Sequence, residues 1–343
     1  MNSDTTTSAA DALVELLAER GISPSDAAQL LEGRLGGPTV AEFLPDVTAA
    51  ATPGAMKTYR HYWDCFAAEF GDRPVRSVRT TELRAFALRT QEQALRRRNS
   101  RNGLSAREHC VGALRAFFRA AVDDGLIDAN PATGVEKPKR RPSNRRGFTA
   151  TEVAELFRVT TTTGDDPILD GLLLRFHLET GARRGGALAL RLRDLDRDRQ
   201  CVRLREKNDT ERWQPVSITL LAALVAHAEA RGVSEPDEAL FRRKPRRGAV
   251  QGVAVTRRRY NTLAQRWGKH LPWCAELGVS IHWCRHHATS SIERIAGYAV
   301  ARAFAGHVSS DETTTTYIKA HLHEVARAVA VYTGEPHPLA DEP

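Results

Sequence analysis

The chain has 343 residues, enough for two domains of ordinary size, and its 41% hydrophobic residues can fill a buried core in each. Lys and Arg number 50 against 42 Asp and Glu, a net charge of +8 with a pI near 9.5, which suits a polyanionic partner. No apolar stretch can span a bilayer, the first residues are not a signal peptide, and five cysteines without C-x-x-C spacing argue against structural zinc or a disulfide framework, so a cytoplasmic protein is expected.

Residues 1–10 are polar and expected to be disordered. From Ala10 to Arg20, Leu13, Leu16 and Leu17 predict a short amphipathic helix, and Gly36-Gly37-Pro38 breaks what precedes it. Pro53 opens a helix with Met56, Tyr59, Trp63, Phe66 and Phe70 on one face, closed by Gly71. Thr80 or Thr81 caps a second helix, with Leu83, Phe86 and Leu95. A third runs from about Ser105 through Val111, Leu114, Phe117, Phe118 and Val122 to Gly125. Three or four such helices make a small bundle whose stripes read as core rather than as a ligand site.

Asn130-Pro131-Ala132 leads into a segment rich in proline and positive charge, where no regular helix can form. It carries Lys137, Lys139, Arg140, Arg141, Arg145 and Arg146. Such a strap is either a solvated tether or a tracker of a phosphate backbone, and its charge density favours DNA contact. A new domain opens at Phe148. Thr149-x-x-Glu152 is a capping box, with Phe148 and Val153 placed for a hydrophobic staple. Asp166-Pro167 starts the next helix, with Ile168, Leu169, Leu172, Leu173 and Phe176 expected to face inward and Gly181 to end it. Cys201–Leu204 and Trp213–Val216 predict a hairpin around the polar turn Lys207-Asn208-Asp209, and from Leu220 the pattern is mostly helical again. The expected layout is an N-terminal extension (1–37), a helical domain (38–135), a basic linker (136–147), a second domain (148–335) and a polar tail (336–343).

Four short segments carry the chemistry: Thr180-Gly181-Ala182-Arg183-Arg184-Gly185-Gly186, His282-Trp283-Cys284-Arg285-His286, Ala305-Gly306-His307 and the Thr-rich approach to Tyr317. A guanidinium grips phosphate oxygens in a fork and keeps its charge. Imidazole moves protons near neutral pH, and a tyrosine hydroxyl can bond to phosphorus. Two separated arginines, histidines and a late tyrosine therefore form a kit for attacking a phosphodiester. Arg285 sits one turn after His282, so the two share a helix face.

These boxes resemble those of the tyrosine recombinase (phage integrase) family, in order and spacing over roughly residues 145–335. Arg183 fits its T-G-x-R box, His282 and Arg285 its H-x-x-R box, Gly306 and His307 its G-H pair, Lys207 its hairpin lysine and Tyr317 its nucleophile. Gly186 stands where the family often has Glu, Cys284 where it usually has Leu, and Ala305 where Leu is common before G-H. The resemblance implies a mainly α fold with a small β-sheet: an N-terminal helical core-DNA-binding bundle and a mixed α/β catalytic domain, forming a C-shaped clamp on the duplex. It implies a site-specific DNA recombinase. Tyr317 attacks, a 3′-phosphotyrosine forms, Lys207 protonates the leaving 5′-oxygen, His282 carries a proton and His307 donates a hydrogen bond to phosphate. It also implies double-stranded DNA with an inverted-repeat core site as partner, and a homotetramer on two sites from a free monomer or weak dimer.

No Walker loop or carboxylate metal cluster appears in the sequence, so neither ATP nor a metal or other cofactor is expected. Tyr332 is a rival nucleophile, expected instead to anchor the last helix; Arg184 is structural or a general DNA contact; His286 and His287 are expected to pack. A type IB topoisomerase and a catalytically silent DNA-binding regulator are the competing functions. The stripe Leu322, Val325, Ala326 and Val329 either folds back on its own domain or docks on a neighbouring protomer. The second is the expectation, so truncation before Leu322 should leave a folded protein.

Overall fold

The computed structural model describes residues 16–17, 19–23, 37–94, 102–139, 145–205, 211–306 and 321–341, and divides into two compact units, Met1–Pro142 and Ser143–Pro343. The first unit includes the helices α1 (Val40–Ala50), α2 (Pro53–Phe70), α3 (Thr80–Gln93) and α4 (Leu104–Asp123). Thr39 and Glu42 close a capping box on α1. Thr52 caps α2, and Pro53 sits where its missing N–H costs nothing. The expected stripe is the core: Trp63, Phe66 and Phe70 pack with Phe86, Phe117 and Phe118, while Met56 and Tyr59 line its edge. Trp63 satisfies its one donor on Ala113 O at 2.9 Å. Arg115 donates to Ala132 O and Val135 O at 3.2 and 2.9 Å, fixing the chain as it leaves the bundle. Leu95 lies outside the described residues, as does Leu13.

The second unit opens with Phe148 against Trp273, Trp283 and His287. Its elements are α5 (Ala150–Thr162), α6 (Pro167–Thr180), α7 (Arg184–Ala189), β1 (Leu195–Asp196), β2 (Cys201–Arg205), β3 (Glu211–Pro215), α8 (Ile218–Ala230), α9 (Arg257–His270), α10 (Pro272–Leu277), α11 (Ile281–Ala305) and α12 (Leu322–Thr333). The expected Thr149–Glu152 box caps α5. Asp166 caps α6, whose Leu169, Leu172, Leu173 and Phe176 are buried, but Ile168 is 76% exposed and points away from the core. Asp170, fully buried on α6, is held by Arg259 at 2.6 and 2.8 Å and by Arg266 at 2.6 Å, which locks α6 to α9. Such a buried carboxylate is tolerable only because cations meet both oxygens.

The three strands form an antiparallel sheet in the order β1-β2-β3, with Leu204 opposite Arg212 and Val202 opposite Gln214. Val202 and Leu204 face the main core. The other face, at Cys201 and Trp213, is covered by Leu322, Ala326 and Leu339. α12 thus docks on its own domain, and its Val325, Ala328 and Val329 pack with Ala288, Ile292, Val300 and Phe304. This corrects the expectation of docking on a neighbour. The polar tail differs too: Leu339 is 5% exposed and His337 donates from Nε2 to Gln200 O at 3.0 Å. Among the described residues no helix is long and apolar enough to cross a membrane.

Candidate active site

α6 ends at Gly181, whose φ of +59° suits glycine and whose missing Cβ leaves room for Phe304, 2.7 Å from where that atom would stand. The turn that follows is pinned from behind. Thr180 Oγ1 donates to Phe176 O at 2.5 Å and accepts from Ala182 N at 3.2 Å. His177 Nδ1 lies 2.9 Å from Ala182 O, and its Nε2 lies 2.9 Å from the Tyr260 hydroxyl. A carbonyl can only accept, so Nδ1 carries the proton and Nε2 takes the hydrogen bond from Tyr260. Burial holds this ring neutral, with its pKa pulled down to about 4. Arg183 then stands at the start of α7, half-buried, and burial draws its pKa down.

α11 supplies the facing groups. Arg285 is only 5% exposed, which removes the reading of a surface charge. It donates from Nη1 to Gly181 O at 2.7 Å and from Nη2 to Ala305 O, so one guanidinium ties the T-G turn to the far end of α11. Burial, and then the like charge of Arg183, brings its pKa down to about 10. His282, one turn earlier, is exposed to solvent. Partial desolvation of the ring, followed by Arg145, His286, Arg285 and Arg183, lowers its pKa to about 4. It is therefore a neutral imidazole among cations at neutral pH, able to accept a proton.

A residue that the sequence reading passed over joins them. Arg212 on β3 feels the charges of Arg285 and Arg183, and its Nε and Nη2 are closed to solvent. It shares a strand face with Gln214 and, across the register, with Val202 and Leu204.

Lys207, His307 and Tyr317 lie outside the described residues, as do Arg140 and Arg141. Gly306, at φ +61°, ends α11 immediately before His307, and Lys207 falls in the connection between β2 and β3. Lys137 and Lys139 are exposed in the first unit. In the second, Arg145 acts on His282 and His286, while Arg146 is committed to Glu152, at 2.6 Å from Nη1 and 2.5 Å from Nη2. Glu152 is held down to about 2 by that partner. Arg184 reaches Asn261 Oδ1 at 3.5 Å. His287 accepts from Phe148 N at 3.1 Å, and His286 lies edge-on to His282. Tyr332 donates its hydroxyl to Leu178 O at 3.0 Å, and burial pushes its pKa up, so it anchors α12. Among the described residues no group of three or more His, Cys, Asp or Glu could hold a metal ion.

The sequence profile of the phage integrase family matches residues 146–324. The chain is 29% identical over 297 residues to the tyrosine recombinase XerC of Shewanella amazonensis, covering 84% of this chain and 91% of that protein. It is 30% identical over 240 residues to the tyrosine recombinase XerD of Mycobacterium leprae, covering 66% and 73%. Its fold is similar to that of a lambda integrase tetramer bound to a Holliday junction (TM-score 0.62, 15% identity, 93% of this chain and 91% of that one). It is also similar to the Tn1549 transposon integrase in complex with a circular intermediate DNA (TM-score 0.60, 17% identity, 83% and 96%).

Proposed function

Because the chain belongs to the phage integrase family, whose profile spans more than half of it, we propose that it is a site-specific DNA recombinase that cleaves and rejoins strands through a 3′-phosphotyrosine. The observation that supports this reading is Arg285 bonded to both glycine turns, with Arg183 two residues after Gly181 and neutral His282 one turn before Arg285, within the influence of both charges. A phosphodiester under attack gathers negative charge on its non-bridging oxygens, and fixed guanidinium donors stabilise that state more than the ground state.

In the proposed step the Tyr317 oxygen bonds to phosphorus as the bond to the 5′-oxygen breaks. His282 takes the phenolic proton, Lys207 protonates the leaving 5′-oxygen, and His307 donates to a phosphate oxygen. The phosphotyrosine bond keeps the energy of the phosphodiester, so rejoining to a partner 5′-hydroxyl needs no ATP. The substrate is duplex DNA with an inverted-repeat core site, with Lys137, Lys139, Arg140, Arg141 and Arg145 on the phosphate backbone and four protomers assembling on two sites. The tetrameric lambda integrase on a Holliday junction supports that assembly by likeness of fold.

The test is a nicked suicide duplex followed by a denaturing gel. The parental protein should form a covalent adduct, and Tyr317→Phe should bind DNA and form none. An adduct retained in Tyr317→Phe would show that another residue is the nucleophile. The last helix does not separate a recombinase from a type IB topoisomerase, since it packs within its own domain. Strand exchange between two core sites, measured beside relaxation of supercoiled plasmid, makes that distinction.

A further inference from the structure

Ile168 belongs to an apolar run, yet it stands 76% exposed at the start of α6. It lines a groove of about 870 Å³ to which α5, α6 and α8 all contribute. Phe157 and Leu172 give the groove apolar walls. On α8 the lining residues Ala223, Ala226 and Ala230 recur at spacings of three and four, so small side chains leave that side open. An apolar groove between helices accepts an amphipathic helix, whose anchors recur at the same spacing.

The charges around the groove are unequal. Asp166 is paired with Arg231 at 2.7 Å, and Asp165 with Arg243 at 3.1 Å and with Arg259. Arg175 lies 3.6 and 3.7 Å from Glu179 and Glu335. Lys244 stands exposed on the rim, and the chain just beyond it carries exposed Arg246 and Arg247. No Asp or Glu occurs between Glu238 and Glu276. The rim on that side is therefore positive beside an apolar floor.

The chain also holds a segment of the complementary kind. Leu13, Leu16 and Leu17 make the stripe expected between Ala10 and Arg20, and residues 11–19 carry Asp11, Glu15 and Glu19 with no Lys or Arg. Leu16 and Leu17 are helical. Gly21, at φ +67°, closes the helix, and Ile22 N donates to Leu17 O at 2.9 Å. Leu16 is 55% exposed, and neither leucine joins a core cluster among the described residues. So short a helix gains its stability by covering its stripe.

We propose that residues 10–20 of one protomer dock as a helix in this groove on a second copy of the chain. Leu13, Leu16 and Leu17 would cover Ile168 and the alanines of α8, with the acidic residues drawn to Lys244, Arg246 and Arg247. So small a contact is weak between free chains and strengthens when copies are held close together. The proposal is independent of the recombinase reading, and its test uses no DNA.

Two full-length proteins are prepared, each with Cys65→Ser to remove the exposed thiol. One also carries Leu16→Cys and the other Ile168→Cys. Mixed and oxidised, they should form a disulfide-linked heterodimer on a non-reducing gel about 10-fold faster than either protein alone forms a homodimer. Added salt should slow this reaction. Lys244→Glu, Arg246→Glu and Arg247→Glu together in the Ile168→Cys chain should slow it too, and Glu15→Lys with Glu19→Lys in the other chain should restore it. In a single chain bearing both Leu16→Cys and Ile168→Cys, the disulfide should form between copies and increase with protein concentration. A heterodimer no faster than the homodimers would overturn the proposal. So would a rate indifferent to salt and to the charge reversals, since random collision would then join the thiols. A disulfide within one chain, independent of concentration, would overturn it by seating the segment on its own molecule.

Discussion

Replacing Arg285 by Met separates the structural role of this side chain from the catalytic role proposed for it. The first is structural: Nη1 donates to Gly181 O at 2.7 Å and Nη2 donates to Ala305 O, both in a buried setting. Each carbonyl left without a donor costs about 1–3 kcal/mol. Relief of repulsion from Arg183, which helps to depress the Arg285 pKa, offsets part of that. A net loss of about 2–4 kcal/mol follows, large against a usual margin of roughly 5–15 kcal/mol but compatible with a folded protein. The second is the catalytic role proposed for it: a guanidinium fork has more N–H donors than two carbonyls take up, and losing one preorganised donor to phosphate costs about 10²–10³ in rate. Arg285→Lys keeps the charge but cannot fork across two carbonyls and a phosphate, so it should recover little of either. Urea melts followed by circular dichroism give the first quantity. Single-turnover cleavage at a temperature where the variant is folded gives the second, with gel-shift affinity as control. A folded Arg285→Met that cleaves at the parental rate would refute the reasoning.

Four other outcomes are expected. Lys207→Ala should be slow on ordinary DNA and recover on a 5′-phosphorothiolate substrate, whose leaving group needs no proton; no recovery would remove the general-acid role. Replacing Lys137, Lys139, Arg140 and Arg141 together by Ala should flatten the log–log salt dependence of DNA binding by up to about 0.9 for each phosphate no longer neutralised, and an unchanged slope would make the linker a tether. Truncation before Leu322 should unfold the second domain, since Val325, Val329 and Leu339 are each at most 5% exposed and such burial is worth about 1.5–3 kcal/mol per side chain; a native melt would contradict the docking of α12 on its own domain. Stability should be highest above about pH 6.5 and fall toward pH 4, because buried His177 has its pKa lowered to about 4 and the unfolded chain takes up that proton first. That ring contributes up to about 3 kcal/mol, so His177→Leu should flatten the pH dependence of urea melts, and an unaltered slope would refute the assignment.

Much of the fold was legible because local and tertiary signals agree. The α2 stripe of Trp63, Phe66 and Phe70, the Thr149–Glu152 box and the Asp166-Pro167 start all follow from spacing and capping chemistry. α1 was missed although Thr39 and Glu42 form a capping box, because Pro45 lies inside it and Gly36-Gly37-Pro38 reads as a break. Ile168 fitted the apolar run of α6 but lies in its first turn, on the side away from the core. Arg212 was invisible for a different reason. Both faces of the hairpin are covered, one by the main core and the other by α12 and Leu339, so strand alternation does not separate inside from outside. In so arginine-rich a chain, one more arginine then carries no signal of burial.

The same electrostatic logic bears on Gly186. The sequence likeness leads one to expect a carboxylate three residues after Arg183, and a buried glycine stands there instead. The turn before Arg183 is held by the Thr180 hydroxyl, by the His177 ring with Tyr260 behind it, and by Arg285 on the Gly181 carbonyl. A carboxylate at Gly186 would orient Arg183 by pairing with it, and would also offset the positive charge that the phosphate site needs. Holding the turn through its main chain fixes the residues that lead into Arg183. Arg285 and Arg212 are buried within reach of its charge, which helps to lower the pKa of each. In the proposed reaction the mutual repulsion of these guanidinium groups is relieved by an arriving phosphodiester and further by its more highly charged transition state.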